Sequence, residues 1–443
     1  MMMKDKLPQL LDIDISLSCK PSDVFSFANN VKLHCFEDKD SEIIRLEFLF
    51  TNAGSVNQEK FFSSAASANL ITEGCGELSA IEVADKLDFY AAYVERVSER
   101  DSTSLVFYFL KKYQQNLLPL IEKIIKQANY NEKEFEVYIS KQKQNFEINA
   151  QKTSMIAYKE FYRTIFPKNH PLSKFGERED FDKLSPSDVK SFYEDFYTSS
   201  QSEIILSGNY DKAFVGELER FFGTETWGGE KKNKELKNYF FDLENYFFEK
   251  KCESKGLEKT INKKGAAQAS VRVGCVSLEH NHKDFLPFSV VVCLLGGYFG
   301  SRLMMNIRED KGYTYGISAN LSAYRYASVF SIASDVKADK AQATIDEIEK
   351  EITILQNDLV SISELSQVKN YLIGECIRNL DGAFDKSDKY SFLMKLNHKY
   401  DYYKNFIDTI KSISPNEIRD LSQKYLDLNY ISKIKVGDTE ILI

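Results

Sequence analysis

Two stretches of this sequence decide its fold: LSPSDVKSFYEDFYTSSQSEIILSGNY at 184–210 and ISPNEIRDLSQKYLDLNYISKIKVGDT at 413–439. In each, a serine is followed by proline, and an acidic residue stands three positions after the serine. This pattern is typical of a helix N-terminus with a capping box and proline at the first helical position. An amphipathic stripe, a short apolar run and a glycine follow in both stretches, which predicts a helix and then a strand. The two glycines, Gly208 and Gly437, lie 229 residues apart, so the chain carries one structural unit twice.

The repeat extends upstream of these stretches. Strand-like runs at 105–110 and 329–334 each precede a helical stripe, and each half opens with alternating apolar and polar residues. We therefore expect an α+β protein of two similar domains, each a mixed, mostly antiparallel sheet with helices packed on one face. The predicted domains are 1–223 and 265–443, joined by a polar and charged connector at 224–264.

Composition narrows the class of protein. Apolar residues make up 43% and charged residues 28% of the 443 positions, as in soluble globular proteins. A net charge of −8 gives no general attraction for nucleic acid or anionic lipid, so we expect neither as a partner. The longest uncharged stretch, 285–301, contains proline and three glycines, which favours a buried helix and a turn over a membrane span.

Cysteine usage and the first residues bear on the compartment. Seven cysteines without a C-x-x-C motif predict reduced thiols rather than a disulfide framework or a zinc ribbon. The start, MMMKDKLPQLLDIDIS, lacks the long apolar core of a secretion signal. We therefore expect a cytoplasmic protein, with a removed export signal as the open alternative.

Two segments of the second half carry a resemblance to a known family. KKGAAQASVRVG at 263–274 resembles the second-domain opening strand of the pitrilysin-type zinc peptidases, the inverzincins. GGYFGSRLMMNIREDKGYTYG at 296–316 resembles their arginine–tyrosine segment. The resemblance covers nearly the whole chain. It implies two similar α+β domains per subunit and a peptide chamber that two subunits, or two fused halves, close like a clamshell.

The family's zinc motif, H-x-x-E-H on a helix, has no match here. The two histidines of that motif bind zinc from one helix face, and its glutamate activates the water. Gly74 matches the glycine that ends the motif helix, and counting back from it places Ala65, Ala68 and Asn69 at the three motif positions. None of the three is a usual zinc ligand. We therefore predict that 58–73 is a structural helix whose small residues pack on a sheet.

The distal zinc position, a glutamate in the family, falls at Gln144 or Asn145. A register slip of two or three residues would bring Glu147 there, but one carboxylate does not hold zinc. The resemblance thus implies no metal in this chain and zinc in a partner subunit.

The histidines provide one alternative metal site. His280 and His282, with Glu279 beside them, would share a face if they lay in a strand. Their segment, EHNHKD, is polar and falls where the family has a surface loop, which favours a loop. His170, in NHPL, resembles a family loop and is expected to be structural.

Arg308 and Tyr315 occupy the family's arginine and tyrosine positions, seven residues apart. Gly312 is predicted to end the helix that carries the arginine, and a strand is predicted to begin at the tyrosine. In the family this pair reaches across the chamber to the peptide at the zinc centre, holds its backbone and stabilises the oxyanion. From spacing alone, a surface ion pair of Arg308 and a core position for Tyr315 remain alternatives.

Three functions remain open. The resemblance implies a catalytically incomplete subunit that pairs with a zinc-bearing relative and supplies Arg308 and Tyr315 in trans to a peptide-cleaving chamber. The alternative is a non-catalytic scaffold or peptide-binding protein of the same fold. The third is an autonomous metalloenzyme that uses His280 and His282. The isolated chain is a candidate homodimer in each case.

Overall fold

The computed structural model describes residues 18–229, 255–325 and 327–440. The strands within these residues are β1 (Asp23–Ser26), β2 (Lys32–Glu37), β3 (Ile43–Phe50), β4 (Tyr93–Ser98), β5 (Thr103–Leu110), β6 (Ser202–Gly208), β7 (Glu258–Asn262), β8 (Gln268–Ser277), β9 (Thr314–Tyr324), β10 (Ala327–Lys337) and β11 (Ser432–Gly437).

The α-helices of the same residues are α1 (Ser63–Leu70), α2 (Ala80–Phe89), α3 (Gln114–Lys126), α4 (Glu132–Ala150), α5 (Thr153–Ile165), α6 (Pro186–Phe196), α7 (Lys212–Phe222), α8 (Phe285–Val292), α9 (Ala341–Asn357), α10 (Ile362–Arg378), α11 (Gly382–Lys395), α12 (Tyr402–Ser412) and α13 (Pro415–Tyr425). Two π-helical segments, Cys293–Gly297 and Met304–Asp310, follow α8.

The repeat is confirmed in the topology of the two sheets. The first sheet has the strand order β1-β2-β6-β3-β5-β4, and the second has the order β7-β11-β8-β10-β9. In both, the strand that ends the repeat lies between an early strand, with which it pairs parallel, and the following strand, with which it pairs antiparallel. Strand β6 lies between β2 and β3 in this way, and β11 lies between β7 and β8. We call β1 to α7 the first unit and β7 to β11 the second unit. The fold is α+β, as the sequence predicts.

The capping boxes predicted from sequence begin equivalent helices of the two units. Ser185 Oγ accepts the Asp188 N–H at the start of α6, and Ser414 Oγ accepts the Glu417 N–H at the start of α13, both at 3.3 Å. Each acidic side chain reaches back to the N–H of its serine. Local sequence therefore sets the same helix start twice.

Each sheet is covered on its second face by a helix from the other unit. Helix α5 of the first unit packs on β8 and β11, and α11 of the second unit packs on β2 and β6. The sequence predicts helices on one face only. The difference arises because the apolar face of α5, with Ala157 and Phe161, meets Val329 and Ile434 of the second sheet. The two units therefore meet in apolar contacts at these two crossover helices, while the main core clusters of the units remain separate.

The predicted connector lies mostly outside the described residues, at 230–254. Within its described part, β7 pairs parallel with β11, so the second sheet includes residues ahead of 265. The stretch 285–301 forms the buried helix α8 and a turn, as expected. In the described ranges, no helix combines the length and apolar character that a bilayer crossing needs.

Candidate functional site

Helix α1 lies where the resemblance places the zinc motif. It spans only Ser63–Leu70 of the predicted 58–73, because Phe62 adopts a left-handed backbone (φ 70°) that does not continue a helix. After the helix, Gly74 turns the chain at φ 112°, a conformation that favours glycine. The glycine used to align the motif therefore has a structural reason to be there.

The three motif positions of α1 offer no side chain for zinc. Ala68 is fully buried and Ala65 is half-buried, and neither carries a donor atom. The Asn69 amide donates to the Ala65 carbonyl at 2.8 Å, so it is engaged inside its own helix. Zinc sites in proteins are built from thiolate, imidazole and carboxylate groups. These residues do not fit the metal.

The distal position on α4 does not supply a ligand either. Gln144 and Asn145 are exposed, and the Glu147 carboxylate accepts Arg178 Nε–H at 2.8 Å. In residues 18–229, 255–325 and 327–440, no group of three or more histidine, cysteine, aspartate or glutamate side chains is arranged to hold a metal ion. A zinc centre therefore has no basis in the described side chains.

The structure does not bring the two histidines of the alternative metal site to a common point. His280 and His282 lie in a turn, as the loop prediction has it, and their rings make different contacts. His280 Nδ1 lies 2.8 Å from His398 Nε2, and His280 Nε2 lies 3.3 Å from the Arg325 carbonyl. His282 Nδ1 accepts the N–H of Asp284. His280 therefore joins loops of the second unit, and His282 caps its own turn.

His170 has a structural role, as expected. Its Nδ1 accepts the Leu172 N–H at 3.1 Å, and its ring stacks on Phe166 at 4.3 Å. Burial, with a smaller contribution from Lys174, lowers the pKa of His170 to about 4. Between about pH 6.5 and pH 4, the His170 ring is therefore neutral in the folded protein but protonated in the unfolded chain.

This difference makes stability depend on pH. The stabilising contribution is complete above about pH 6.5 and is lost as the pH falls toward 4. His170→Asn keeps an acceptor for the Leu172 N–H but cannot titrate. Between pH 7 and 4.5 we expect the variant to lose about 2 kcal/mol less unfolding free energy than the parent, measured by urea denaturation. His282→Asn, which also keeps its turn acceptor, is the control. Equal acid sensitivity in His170→Asn and the parent would contradict the assignment.

The arginine–tyrosine segment begins with a π-helix. Met304–Asp310 is π-helical. The π-helix is rare in proteins overall, but where it occurs it often lies at a functional site. Ile307 anchors this helix to the core of the second unit, where its side chain is fully buried. The N–H of Gly312 (φ 62°) donates to the Arg308 carbonyl at 3.1 Å, and the N–H of Tyr313 donates to the Ile307 carbonyl at 3.0 Å. These bonds end the helix at the glycine, as predicted, and β9 follows at once.

The two predicted donors both lie at the surface. Tyr315 is 91% exposed, so the core alternative for its ring is wrong. The Arg308 guanidinium lies over the exposed Phe299 ring, 4.7 Å from its centroid, and 3.5 Å from the Glu309 carboxylate. Arg308 and Tyr315 do not hydrogen-bond each other within the described structure. Each is a hydrogen-bond donor that an external acceptor can reach.

The fold and this geometry can be compared with known proteins. A Pseudomonas fluorescens structure, described as a peptidase M16 inactive domain, superimposes with a TM-score of 0.81. It covers 94% of this chain and 98% of its own, at 16% sequence identity. The family model "Peptidase M16 inactive domain" matches residues 183–372 of this sequence. The match over 183–372 and the shared fold make the chain similar to the inactive type of the M16, or pitrilysin-type, peptidases.

Curated relatives of this chain carry mixed descriptions. An "uncharacterized zinc protease YmxG" of Bacillus subtilis is 22% identical over 82% of this chain and 85% of its own length. A "non-peptidase homolog YmxG" of Helicobacter pylori is 22% identical over 87% of this chain and 86% of its own.

Two contacts at these sites were not predicted from the sequence. Phe299 lies under Arg308, and Arg96 on β4 hydrogen-bonds the end of α1. Phe299 belongs to the motif segment, so an aromatic residue there was a usable signal. Arg96 gave none, because its partners lie more than 20 positions earlier in the sequence.

Proposed function

We propose that this chain is the zinc-free subunit of a two-subunit peptidase. It completes the peptide chamber of a zinc-bearing M16 relative and supplies Arg308 and Tyr315 to the bound substrate. One observation carries the proposal: an exposed Tyr315 and a partly exposed Arg308 lie on one short segment, while α1 offers no metal ligand.

The chemistry assigned to this chain is hydrogen-bond donation. The partner's zinc, when bound, supplies the Lewis acid and the activated water. Arg308 and Tyr315 hold the backbone of the peptide and donate to the carbonyl oxygen as it gains negative charge. Donors that are already in place for this charge each contribute about 3–4 kcal/mol to lowering the barrier. Phe299 limits the motion of the guanidinium through its ring contact.

The test is a mixing experiment with a zinc-bearing relative that has an intact H-x-x-E-H motif. We expect no cleavage of a fluorogenic peptide by this chain alone and cleavage by the mixture. Arg308→Ala and Tyr315→Phe should each lower kcat by about 100- to 1,000-fold, without dissociating the complex on size-exclusion chromatography.

The controls are two residues of the same kinds at remote exposed sites. Arg378, which pairs with Glu375, is changed to alanine, and Tyr400 is changed to phenylalanine. Mixtures that contain either control variant should cleave the peptide as fast as the parent mixture does. Parent-like turnover in Arg308→Ala and Tyr315→Phe would remove the catalytic assignment.

The alternative is a scaffold or peptide-binding protein without a role in cleavage. The missing zinc ligands favour it equally, and the Helicobacter pylori relative is described as a non-peptidase. The same mixture separates the two functions, because a scaffold associates with the relative without raising its activity. A homodimer of the isolated chain would appear in the chromatography of the unmixed protein.

A further inference from the structure

An arginine of β4, Arg96, lies against the end of α1 that carries the third motif position. Arg96 lies on β4, the edge strand of the first sheet, and two residues along the strand Ser98 Oγ lies 3.1 Å from Ser64 Oγ of α1. Arg96 Nη1 donates to Thr72 Oγ1 at 2.6 Å and to the Asn69 carbonyl at 3.3 Å. One nitrogen thus fixes the guanidinium beside the third motif position.

The other edge of this guanidinium is open. The two hydrogens of Nη1 are used by Thr72 and Asn69, which leaves Nε and Nη2 of the five N–H donors. Neither of these atoms has a hydrogen-bond partner in the described residues, and the side chain is 32% exposed. Nε and Nη2 form the planar fork that binds a carboxylate through two parallel hydrogen bonds.

A helix-capping role alone does not use this fork. A cation at a helix C-terminus is stabilised by the last carbonyl groups, and the bond from Nη1 to Asn69 provides that contact. The Glu73 carboxylate lies 3.8 Å from the same Nη1 and is itself partly exposed. The three groups that hold Arg96 in place, on Asn69, Thr72 and Glu73, therefore all contact the same nitrogen, Nη1.

The surroundings suit a peptide rather than a small anion alone. Among the described residues, strand β4 pairs with β5 alone, so its other edge offers backbone groups for pairing with a further strand. Burial raises the pKa of the nearby Tyr138 to about 12, so its hydroxyl stays a neutral hydrogen-bonding group. A peptide offers both a carboxylate for Arg96 and a backbone for the strand edge.

We propose that Arg96 forms a carboxylate-binding site at the end of α1, which takes the free carboxyl group of a peptide in place of the missing metal centre. The site belongs to the first unit and does not depend on Arg308 or Tyr315. It binds without cleaving, since no described group there activates water.

The experiment is fluorescence anisotropy of the full chain with a labelled hexapeptide of alternating serine and leucine. The peptide is made with a free carboxyl terminus, as its amide, and as an amide with one internal glutamate. We expect the free acid to bind at least about tenfold more tightly than the plain amide. If instead the glutamate amide binds tightly while the free acid binds no better than the plain amide, the site takes side-chain carboxylates, and the assignment to a terminal carboxyl group is overturned.

Two variants at the site should act in opposite directions. Arg96→Gln should reduce binding of the free acid to the level of the amide. Glu73→Gln removes a negative charge close to the incoming carboxylate and should tighten binding by about two- to fivefold. Arg163→Gln, at an arginine whose guanidinium already meets Glu177 and Glu160, is the control and should bind like the parent.

The proposal fails on any of three results. These are equal affinity for the acid and the amide, no binding of any peptide up to about 1 mM, and parent-like binding by Arg96→Gln. Should Arg96→Gln fold poorly, as judged by circular dichroism, the Glu73→Gln result decides: unchanged or weaker binding overturns the site.

Discussion

Glu47→Ala should lower the free energy of unfolding by about 3–5 kcal/mol, because it removes the buried one of the two carboxylates that pair with a buried arginine and leaves buried donors unpaired. Arg45 and Glu47, two residues apart on β3, are 3% and 1% exposed. Arg45 Nη2 donates to the Glu47 carboxylate at 2.8 Å and to the Asp388 carboxylate at 2.5 Å. Asp388 lies on α11, so this ion pair fastens the crossover helix of the second unit to the first sheet.

The second oxygen of the Glu47 carboxylate is also engaged. Ser391 Oγ of α11 donates to the second Glu47 oxygen at 2.7 Å. Burial works to raise the pKa of Glu47, but Arg45, Lys395 and the hydroxyls of Ser104 and Ser391 outweigh it and lower the pKa. The carboxylate is therefore charged in the folded protein at neutral pH, and its removal leaves unpaired donors in a buried place.

Urea denaturation of the parent and the variant measures this effect. The control is Glu217→Ala, which breaks an exposed pair with Arg220 at 2.6 Å and should change the unfolding free energy by about 0–1 kcal/mol. The double variant Arg45→Met/Glu47→Leu removes both charges and should recover much of the loss. A loss for Glu47→Ala no larger than that of the control would mean that water or a side-chain movement compensates the arginine.

The repeat and the fold class could be predicted because their signals are local. The capping boxes at Ser185 and Ser414 and the stripes that follow them are set by residues within two helical turns. The turn at Gly312 is equally local, since its N–H bonds the Arg308 carbonyl four residues earlier. Such local features form whatever the tertiary surroundings of the segment are.

The crossover of α5 and α11 could not be predicted for the opposite reason. An apolar stripe indicates that one face of a helix is buried, but it does not indicate which sheet covers that face. The stripe of α5 fits either unit, and only the contact of Phe161 with the second sheet decides. The open fork of Arg96 is similar, because its partners at Asn69 and Thr72 come close only through tertiary packing.

The Phe161 ring fills the contact between α5 and the second sheet. It is 1% exposed and packs in a cluster with Val329, Ile434 and Val436. A Cβ placed on Gly274 of β8 would come within 3.0 Å of the ring, so this glycine leaves room for the phenylalanine. Phe161→Ala should therefore cost about 3–5 kcal/mol of unfolding free energy, from lost burial and the cavity left behind.

This variant also tests whether the two units unfold together. The chain has one tryptophan, Trp227, which is buried in the core of the first unit, whereas Phe161 packs on the second sheet. If the crossover helices join the units into one cooperative structure, Phe161→Ala shifts the Trp227 fluorescence transition and the circular dichroism transition to the same lower urea concentration. Phe89→Ala, at a 77% exposed ring, is the control and should shift neither by more than about 0.5 kcal/mol. A fluorescence transition that stays in place while the dichroism transition moves would mean that the first unit folds independently of the helix it contributes to the second sheet.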